Sequence, residues 1–488
     1  MKCMFFYLDD DRFKYELEKL SRLFLPFEKF SFTDTTEELS GCDEFICVEC
    51  GKPLAVELKL DGKTEKRQEY LSDTADFTEK ERTLALMLFD CFYNVTGYKS
   101  PWGILTGVRP AKLIGKLIAS DGEQAAVDYF ENTLLVSDEK TQLCLQCHRG
   151  EREVIARSTP DSFSLYISIP FCPSRCSYCS FVSHSVEQAK RLIPRYVELL
   201  CREIRHTADI AKGIGLRLRT VYIGGGTPTT LSAEQITEIM NTVKDCFDFS
   251  EVAEYTVEAG RPDTVTREKL MAIKHGGATR ISINPQTMND EVLLKIGRRH
   301  TVDEMLDAFK LARECGFDNI NTDLIAGLTG DTFESFCRSV DKIIELNPEN
   351  VTVHTLSMKR ASNLTKSRTV YDVNNGSVAE MVDYAYRNLS EAGITPYYMY
   401  RQSKTVGNLE NVGYAKKGFE GLYNVYIMDE THTILACGAS AVTKLREPGG
   451  DYIERIFNYK YPYEYIERFE TIIERKSGIS AFYQKYSI

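Results

Sequence analysis

At 488 residues the chain exceeds what one hydrophobic core ordinarily spans, so two or three domains are expected and a small stapled module is excluded. Hydrophobic residues at 43% and charged residues at 27% are those of a globular protein, with no segment polar enough to predict long disorder. Asp and Glu outnumber Lys and Arg by 71 to 60, and the formal charge of −11 has the wrong sign for non-specific attraction to nucleic acid or anionic lipid.

The first apolar run, residues 3–8, is cut off by Asp9, Asp10 and Asp11 and is too short for a signal-peptide core. No stretch of ~18 consecutive apolar residues follows, so no membrane span is expected and the address reads as cytoplasmic. Residues 1–160 read as an N-terminal α/β domain, with the β runs FICVEC and LAVELKL and a helix near Glu79–Tyr93.

Fifteen cysteines without an export signal read as reduced thiols. Cys246 continues an apolar stripe of Ile236, Ile239, Met240 and Val243 in a helix opened by Ser232 and Gln235, and is expected in the core. The isolated Cys3, Cys42, Cys91, Cys201, Cys315, Cys337 and Cys437 get the same reading. Cys47 with Cys50, and Cys144 with Cys147, form CxxC pairs in strand-like and helix-like runs, which favours unliganded thiols over a shared zinc site.

Cys172, Cys176 and Cys179 are different, because IPFCPSRCSYCSF sets them at CxxxCxxC spacing on a loop that Pro170, Pro173 and Ser174 keep from being helical. Three thiolates so placed can hold three irons of a 4Fe-4S cubane and leave the fourth open. A zinc ion there would need a fourth protein ligand, for which His184 is the nearest candidate.

From residue 164 onward, six β-rich runs alternate with helical patterns: 164–170, 220–225, 254–259, 280–284, 320–327 and 350–356. Such βαβ units make a parallel sheet that curls toward a partial or complete barrel, with its site at the carboxyl ends of the strands. The Cys loop, the turn Gly224-Gly225-Gly226-Thr227-Pro228, Glu258, Gln286 and Asp323 fall at or near those ends. The glycine run fails the dinucleotide fingerprint at Thr229, and is read as backbone amides and carbonyls open to a small zwitterion.

Taken together, the Cys loop, GGGTPT, the glutamate of VEA, Gln286 with Arg298 in LLKIGRR, and DLIAGL resemble the radical S-adenosylmethionine (SAM) superfamily, and within it the oxygen-independent coproporphyrinogen III oxidase (coproporphyrinogen dehydrogenase) family. WGILTGVRPAKL at 102–113 is similar to the extra N-terminal domain of that family's long Gram-positive form. The resemblance implies a partial (β/α)6 barrel core at 161–345, a C-terminal substrate-side region at 346–488, a 4Fe-4S cluster on Cys172, Cys176 and Cys179, and one or two SAM molecules. Tyr166, Gly225, Gly226, Thr227, Glu258, Gln286, Arg298 and Asp323 match SAM contacts, and Tyr178 sits where the family has an aromatic residue beside a second SAM.

The implied reaction is oxidative decarboxylation of coproporphyrinogen III to protoporphyrinogen IX by a 5′-deoxyadenosyl radical, with no general base and no catalytic residue beyond the cluster. Its partners would be a tetrapyrrole bearing propionates and a reductant such as flavodoxin or ferredoxin. Arg360, Arg401, Lys404 and His354 are the candidate substrate wall, since forked guanidiniums suit carboxylates. Two related readings stay open: a haem chaperone and a radical methylase or ring-opening enzyme of haem degradation. Phe181 stands where the oxidases have a further Cys, a form shared with the chaperones, but VGNLENVGYA (406–415) lacks the chaperones' His-Asn-x-x-Tyr-Trp element. Residues 447–456 (EPGGDYIERI) are expected as a surface turn, and the tail from Tyr461 as an amphipathic helix.

Overall fold

The computed structural model describes residues 3–26, 28–179, 181, 184–357, 377–402 and 405–486, so Arg360 and Lys404 lie outside the described residues. The chain divides into two compact units, one comprising Met1–Leu145 with Arg401–Leu409 and the other built from Gln146 onward.

The first unit holds a five-stranded sheet of order β2-β1-β3-β4-β5: β1 (Cys3–Leu8), β2 (Lys29–Thr33), β3 (Phe45–Glu49), β4 (Leu54–Leu60) and β5 (Lys63–Glu69). β1 runs parallel to β2 and β3, and β4 and β5 continue as antiparallel neighbours. Alternation explains the register, since Ile46, Val48, Val56 and Leu58 are fully buried between less buried neighbours. The expected helix spans Phe77–Thr96: Asp76 caps its start by accepting from the Glu79 N–H, and Gly97 ends it at φ 70°, a left-handed conformation that glycine adopts without steric cost.

The second unit holds an eleven-stranded sheet. Its centre is β6 (Ser162–Ile169), β9 (Arg217–Gly225), β10 (Glu254–Glu258), β11 (Arg280–Ser282), β12 (Ile320–Ala326) and β13 (Asn350–Thr355), adjacent in chain order and parallel throughout. Between β6 and β9 lies a two-residue ladder of β7 (Phe171–Cys172) with β8 (His184–Ser185). Helices Ile193–Gly213, Ala233–Cys246, Arg267–His275, Val302–Glu314 and Phe333–Leu346 make the crossovers, giving the (β/α)6 arrangement. Thr301 and Ser232 each open their helix with a capping box, as the S-x-x-Q signature at 232–235 predicts.

Five more strands flank that core: β14 (Thr395–Arg401), β15 (Glu410–Ala415), β16 (Thr433–Cys437), β17 (Val442–Arg446) and β18 (Ile453–Phe457). The expected surface turn at 447–456 is therefore shorter than its sequence suggests. The Glu447 N–H closes it onto the Tyr452 carbonyl, and Ile453 onward pairs antiparallel with β17. Cys246 is only half-buried, because it is the last residue of its helix and reaches past the core it was expected to join. Cys42 and Cys337 are also partly exposed, whereas Cys91, Cys201, Cys315 and Cys437 are buried.

The C-terminal tail forms two helices, Pro462–Glu467 and Phe469–Gln484, broken at the non-helical Arg468. Lys476 of the second is buried and donates to the Ala436 carbonyl at 2.8 Å, with its ammonium 3.1 Å from Glu203 Oε1. Glu203 also accepts from the Gly438 N–H, Tyr465 O–H and Asn458 side chain at 2.7–2.8 Å. Removing one member of a buried pair leaves an uncompensated charge. Lys476→Met should therefore destabilise this unit by about 3–5 kcal/mol in chemical denaturation. A loss within experimental error would show the pair to be dispensable.

Candidate functional site

Parallel register carries the polar strand-end residues to one edge of the barrel. Tyr166 on β6 faces Tyr222 on β9, Glu258 ends β10 opposite Ser282, and Asp323 on β12 lies opposite Thr352, two residues before His354 on β13. Period-2 alternation puts Tyr166, Tyr222 and Gly224 on one face, while Leu165, Ile167, Val221 and Ile223 are buried on the other.

The Cys loop is pinned from two sides. The Ser177 N–H donates to the Ile296 carbonyl at 3.0 Å and Ser174 Oγ to the Gly297 carbonyl at 3.0 Å, so LLKIGRR forms its floor. On the other side, the Gly226 and Thr227 N–H groups donate to the carbonyls of Ile169 and Phe171, each at 2.8 Å. The glycine run therefore differs from its expected use, since two of its amides are taken up by the segment leading into the loop. A Cβ on Gly226 would fall 2.6 Å from the Phe171 oxygen, so only glycine lets the turn lie so close. Gly225 has φ 107°, and a Cβ on Gly224 would meet the Glu258 carboxyl carbon at 2.9 Å. Thr227 Oγ1 then lies 3.5 Å from Cys172 Sγ.

Cys176 is buried, while Cys172 and Cys179 are partly exposed. Burial pushes the Cys179 thiol up to about 11. Among the described residues no group of three His, Cys, Asp or Glu side chains is gathered to hold a metal ion. A cubane makes a different demand, one thiolate per iron, and the donor set of three thiols on one short loop fits it. His184, the candidate fourth ligand for zinc, instead packs edge-on against the rings of Tyr461 and Tyr463 at 6.1 Å. Cys47 and Cys50 lie in β3 and just after it, and Cys144 and Cys147 are buried in the helix Asp138–Ile155.

Arg298 is buried behind the loop. It donates to the Asn284 carbonyl at 2.6 Å and to Tyr178 Oη at 3.3 Å, and its Nε has no partner. Asn284 Oδ1 and both ring nitrogens of His300 are likewise buried without a partner. Orphaned polar atoms in a buried cluster mark a place where a polar ligand fits. Gln286 is held at φ 73°, unusual for a residue with a side chain, because its backbone bridges to β12: its N–H donates to the Asp323 carbonyl and its carbonyl accepts from Ile325, each at 2.9 Å.

Glu258 lies among aromatic rings. Tyr222 Oη donates to its Oε1 at 2.5 Å, and Tyr222 stacks on Tyr423 at 4.4 Å, with Tyr166 beside both at 6.2 and 6.1 Å. Burial, reinforced by the charge of Asp323 and opposed by the Tyr222 hydrogen bond, pushes the Glu258 carboxyl up to about 7. Raised above its unfolded value, this group stabilises the fold fully below pH about 4.5, and the contribution is lost as pH rises to about 7. Glu258→Gln should flatten the stability profile across that window by up to about 1.4 kcal/mol per pH unit, read from denaturant midpoints of the ligand-free protein. An unchanged slope would mean that the carboxyl titrates normally.

Asp323 stays anionic. Burial opposes its charge, but the neighbouring His354 and a hydrogen bond from Asn321 outweigh it and hold the carboxyl below its usual range. The Asn321 amide donates to Oδ1 at 2.7 Å, and His354 Nε2 lies 3.8 Å from Oδ2.

The structure thus brings Tyr166, Glu258, Asp323 and His354 to one side, and the Cys loop, Tyr178 and Arg298 together at the loop's floor. Arg401 has backbone partners of its own. It belongs to the first unit, is 3% exposed, donates to the carbonyls of Leu105 at 2.6 Å and of Gly107 and Asn408 at 3.2–3.3 Å, and lies over the Trp102 ring at 4.9 Å. Those contacts make it an anchor for the segment 102–108. Tyr222, Tyr423 and His300 are the residues of these clusters that sequence reading missed. Tyr222 alone carries a signal, being in register with Tyr166 and two residues before the glycine run.

Comparison with known proteins agrees with this geometry. Residues 166–343 match the radical SAM superfamily. The chain is 36% identical to the oxygen-independent coproporphyrinogen-III oxidase-like protein HemZ of Bacillus subtilis (strain 168), over 96% of each chain. It is 32% identical to the heme chaperone HemW of the same organism, over 62% of this chain and 77% of that one. Among solved structures, coproporphyrinogen III oxidase (HemN) from Escherichia coli, a radical SAM enzyme, shares the fold with a TM-score of 0.52 at 24% identity, covering 65% of this chain and 71% of that one. With similarity running along nearly its whole length and the CxxxCxxC loop set at the strand ends of the barrel, the chain belongs to the radical SAM family of oxygen-independent coproporphyrinogen-III oxidase-like proteins.

Proposed function

We propose that this protein carries out the oxygen-independent oxidative decarboxylation of coproporphyrinogen III to protoporphyrinogen IX. The observation that carries the reading is the 36% identity over 96% of both chains to the oxidase-like relative, where the heme chaperone matches only 62% of this chain. Cys172, Cys176 and Cys179 would hold the 4Fe-4S cluster that the superfamily implies. When bound, the cluster supplies the electron that cleaves SAM to methionine and the 5′-deoxyadenosyl radical.

The chain's own residues then bind, orient and exclude water. Arg298 suits the carboxylate of SAM, and Asp323 its ribose hydroxyls or amino group. Glu258, Gln286, Gly225, Gly226 and Thr227 complete that wall, Tyr166 and its stacked neighbours close it on one side, and Tyr178 would lie beside a second SAM. His354, partly exposed next to Asp323, is the candidate for the substrate side.

Phe181 in place of a further Cys supports a second reading, haem chaperone, because the chaperones share that form; it is 62% exposed. Anaerobic incubation with coproporphyrinogen III, SAM and a one-electron reductant separates the two. Divinyl product identified by mass spectrometry is expected. Tight haem binding with no vinyl product would replace this reading with the chaperone, and a methylated or linearised tetrapyrrole with haem degradation.

A further inference from the structure

Three residues beyond Glu258, Arg261 is 3% exposed in the turn after β10. One edge of its guanidinium is held by Asp263, with Nε and NH2 each 3.0 Å from a carboxylate oxygen. Its other edge faces the Cys loop: NH1 and NH2 lie 3.3 and 3.2 Å from Ser174 Oγ, and NH1 is 3.7 Å from Cys176 Sγ. Arg298 also approaches Cys176. His300 lies near both arginines, and burial together with their charge pushes it down to about 3, so it adds no charge of its own. The charged groups facing Cys176 here are the two guanidiniums, with Asp263 behind the first.

We propose that Arg261 sets the reduction potential of the cluster, its NH1 donating a charge-assisted N–H···S hydrogen bond to the Cys176 thiolate. The inference rests on the reading of the Cys loop as a cluster site. Reduction adds one electron from an external one-electron donor, breaks no bond and moves no proton. A cation and a hydrogen bond beside a ligand sulfur stabilise the more negative, reduced state more than the oxidised one, which raises the potential. Asp263 is the positioning residue that keeps the fork aimed at the loop. The Asp263 carboxylate contacts Nε and NH2, which leaves NH1 directed to the sulfur.

The test is an anaerobic redox titration followed by electron paramagnetic resonance on reconstituted wild type, Arg261→Gln and Arg261→Lys, with iron counted for each. Arg261→Gln is expected to keep its iron and to require a more negative potential, equivalent to about a ten-fold shift in the oxidised-to-reduced ratio, or about 59 mV for one electron. Arg261→Lys, which keeps the charge but not the fork, is expected to fall between the two. Equal potentials in all three iron-loaded proteins would overturn the inference. Loss of iron from both variants would overturn it too, because Arg261 would then be a structural brace for the loop. A wild type that takes up no iron would instead overturn the cluster reading itself, which the iron count reports separately.

Discussion

Replacing Cys172, Cys176 and Cys179 together by Ser should cut the iron bound after anaerobic reconstitution from about four atoms per chain to almost none. The expectation follows from the donor set. Each thiolate serves one iron, and an alcohol is a poor ligand for iron in a sulfide cubane, so no partial set on this loop replaces the three. The loop itself should survive, since its anchors are the Ile296, Gly297, Ile169 and Phe171 carbonyls rather than the sulfurs. Unchanged circular dichroism and thermal midpoint with lost iron would be the supporting result. A fully loaded triple variant would move the cluster to the remaining thiols, of which the CxxC pair at Cys144 and Cys147 is buried within a helix and the pair at Cys47 and Cys50 lies on a strand and its exit. Neither pair is placed to supply three thiolates at one point, and this is the physical reason that result is not expected.

The barrel was legible because its strands announce themselves twice: as β-branched runs and by the polar residue at each carboxyl end. SLYISIP, TVYIGG and INTDLIAG carry both signals, and their registers place Tyr166, Tyr222 and Asp323 as the alternation requires. The edge strand β18 carries both only weakly. β18 reads Ile-Glu-Arg-Ile-Phe, with charged residues at a half-exposed edge, and it follows a Gly-Gly turn that dominates the local pattern. Cys246 shows a different limit, since helical periodicity tells which face a residue occupies but not where along the helix the core ends.

The site was legible in its types more than its contacts. Glycine at 224 and 226 was readable as close approach, yet what approaches is the carboxyl group of Glu258 and the backbone leading to the Cys loop. Arg401 reads in the sequence as part of a substrate wall, and only the fold shows the carbonyls that take up its donors. Arg261 had no signal at all, because its partners, Ser174 and Cys176, are more than eighty residues away in the chain.

Asp323→Ala should retain the full iron complement and lose reductive cleavage of SAM to 5′-deoxyadenosine by a hundred-fold or more. The cluster loop contacts Thr227, Arg261 and Arg298, and none of those side chains touches Asp323 in the hydrogen bonds described above. Strand pairing is also spared, because the link from Gln286 to position 323 runs through backbone atoms that Ala keeps. What the variant removes is a partly buried anion held ready by Asn321 and His354. Each charge-assisted hydrogen bond to a ligand hydroxyl or amino group contributes about 1.5–3 kcal/mol, so losing two amounts to about a hundred-fold or more in binding. Asp323→Asn separates charge from shape: it keeps an acceptor oxygen but no charge, and should fall between wild type and Ala. Cleavage at the wild-type rate in both variants would reduce Asp323 to a structural partner of Asn321. Loss of iron in either would instead tie β12 to the folding of the Cys loop, a coupling for which the hydrogen bonds described above offer no direct route.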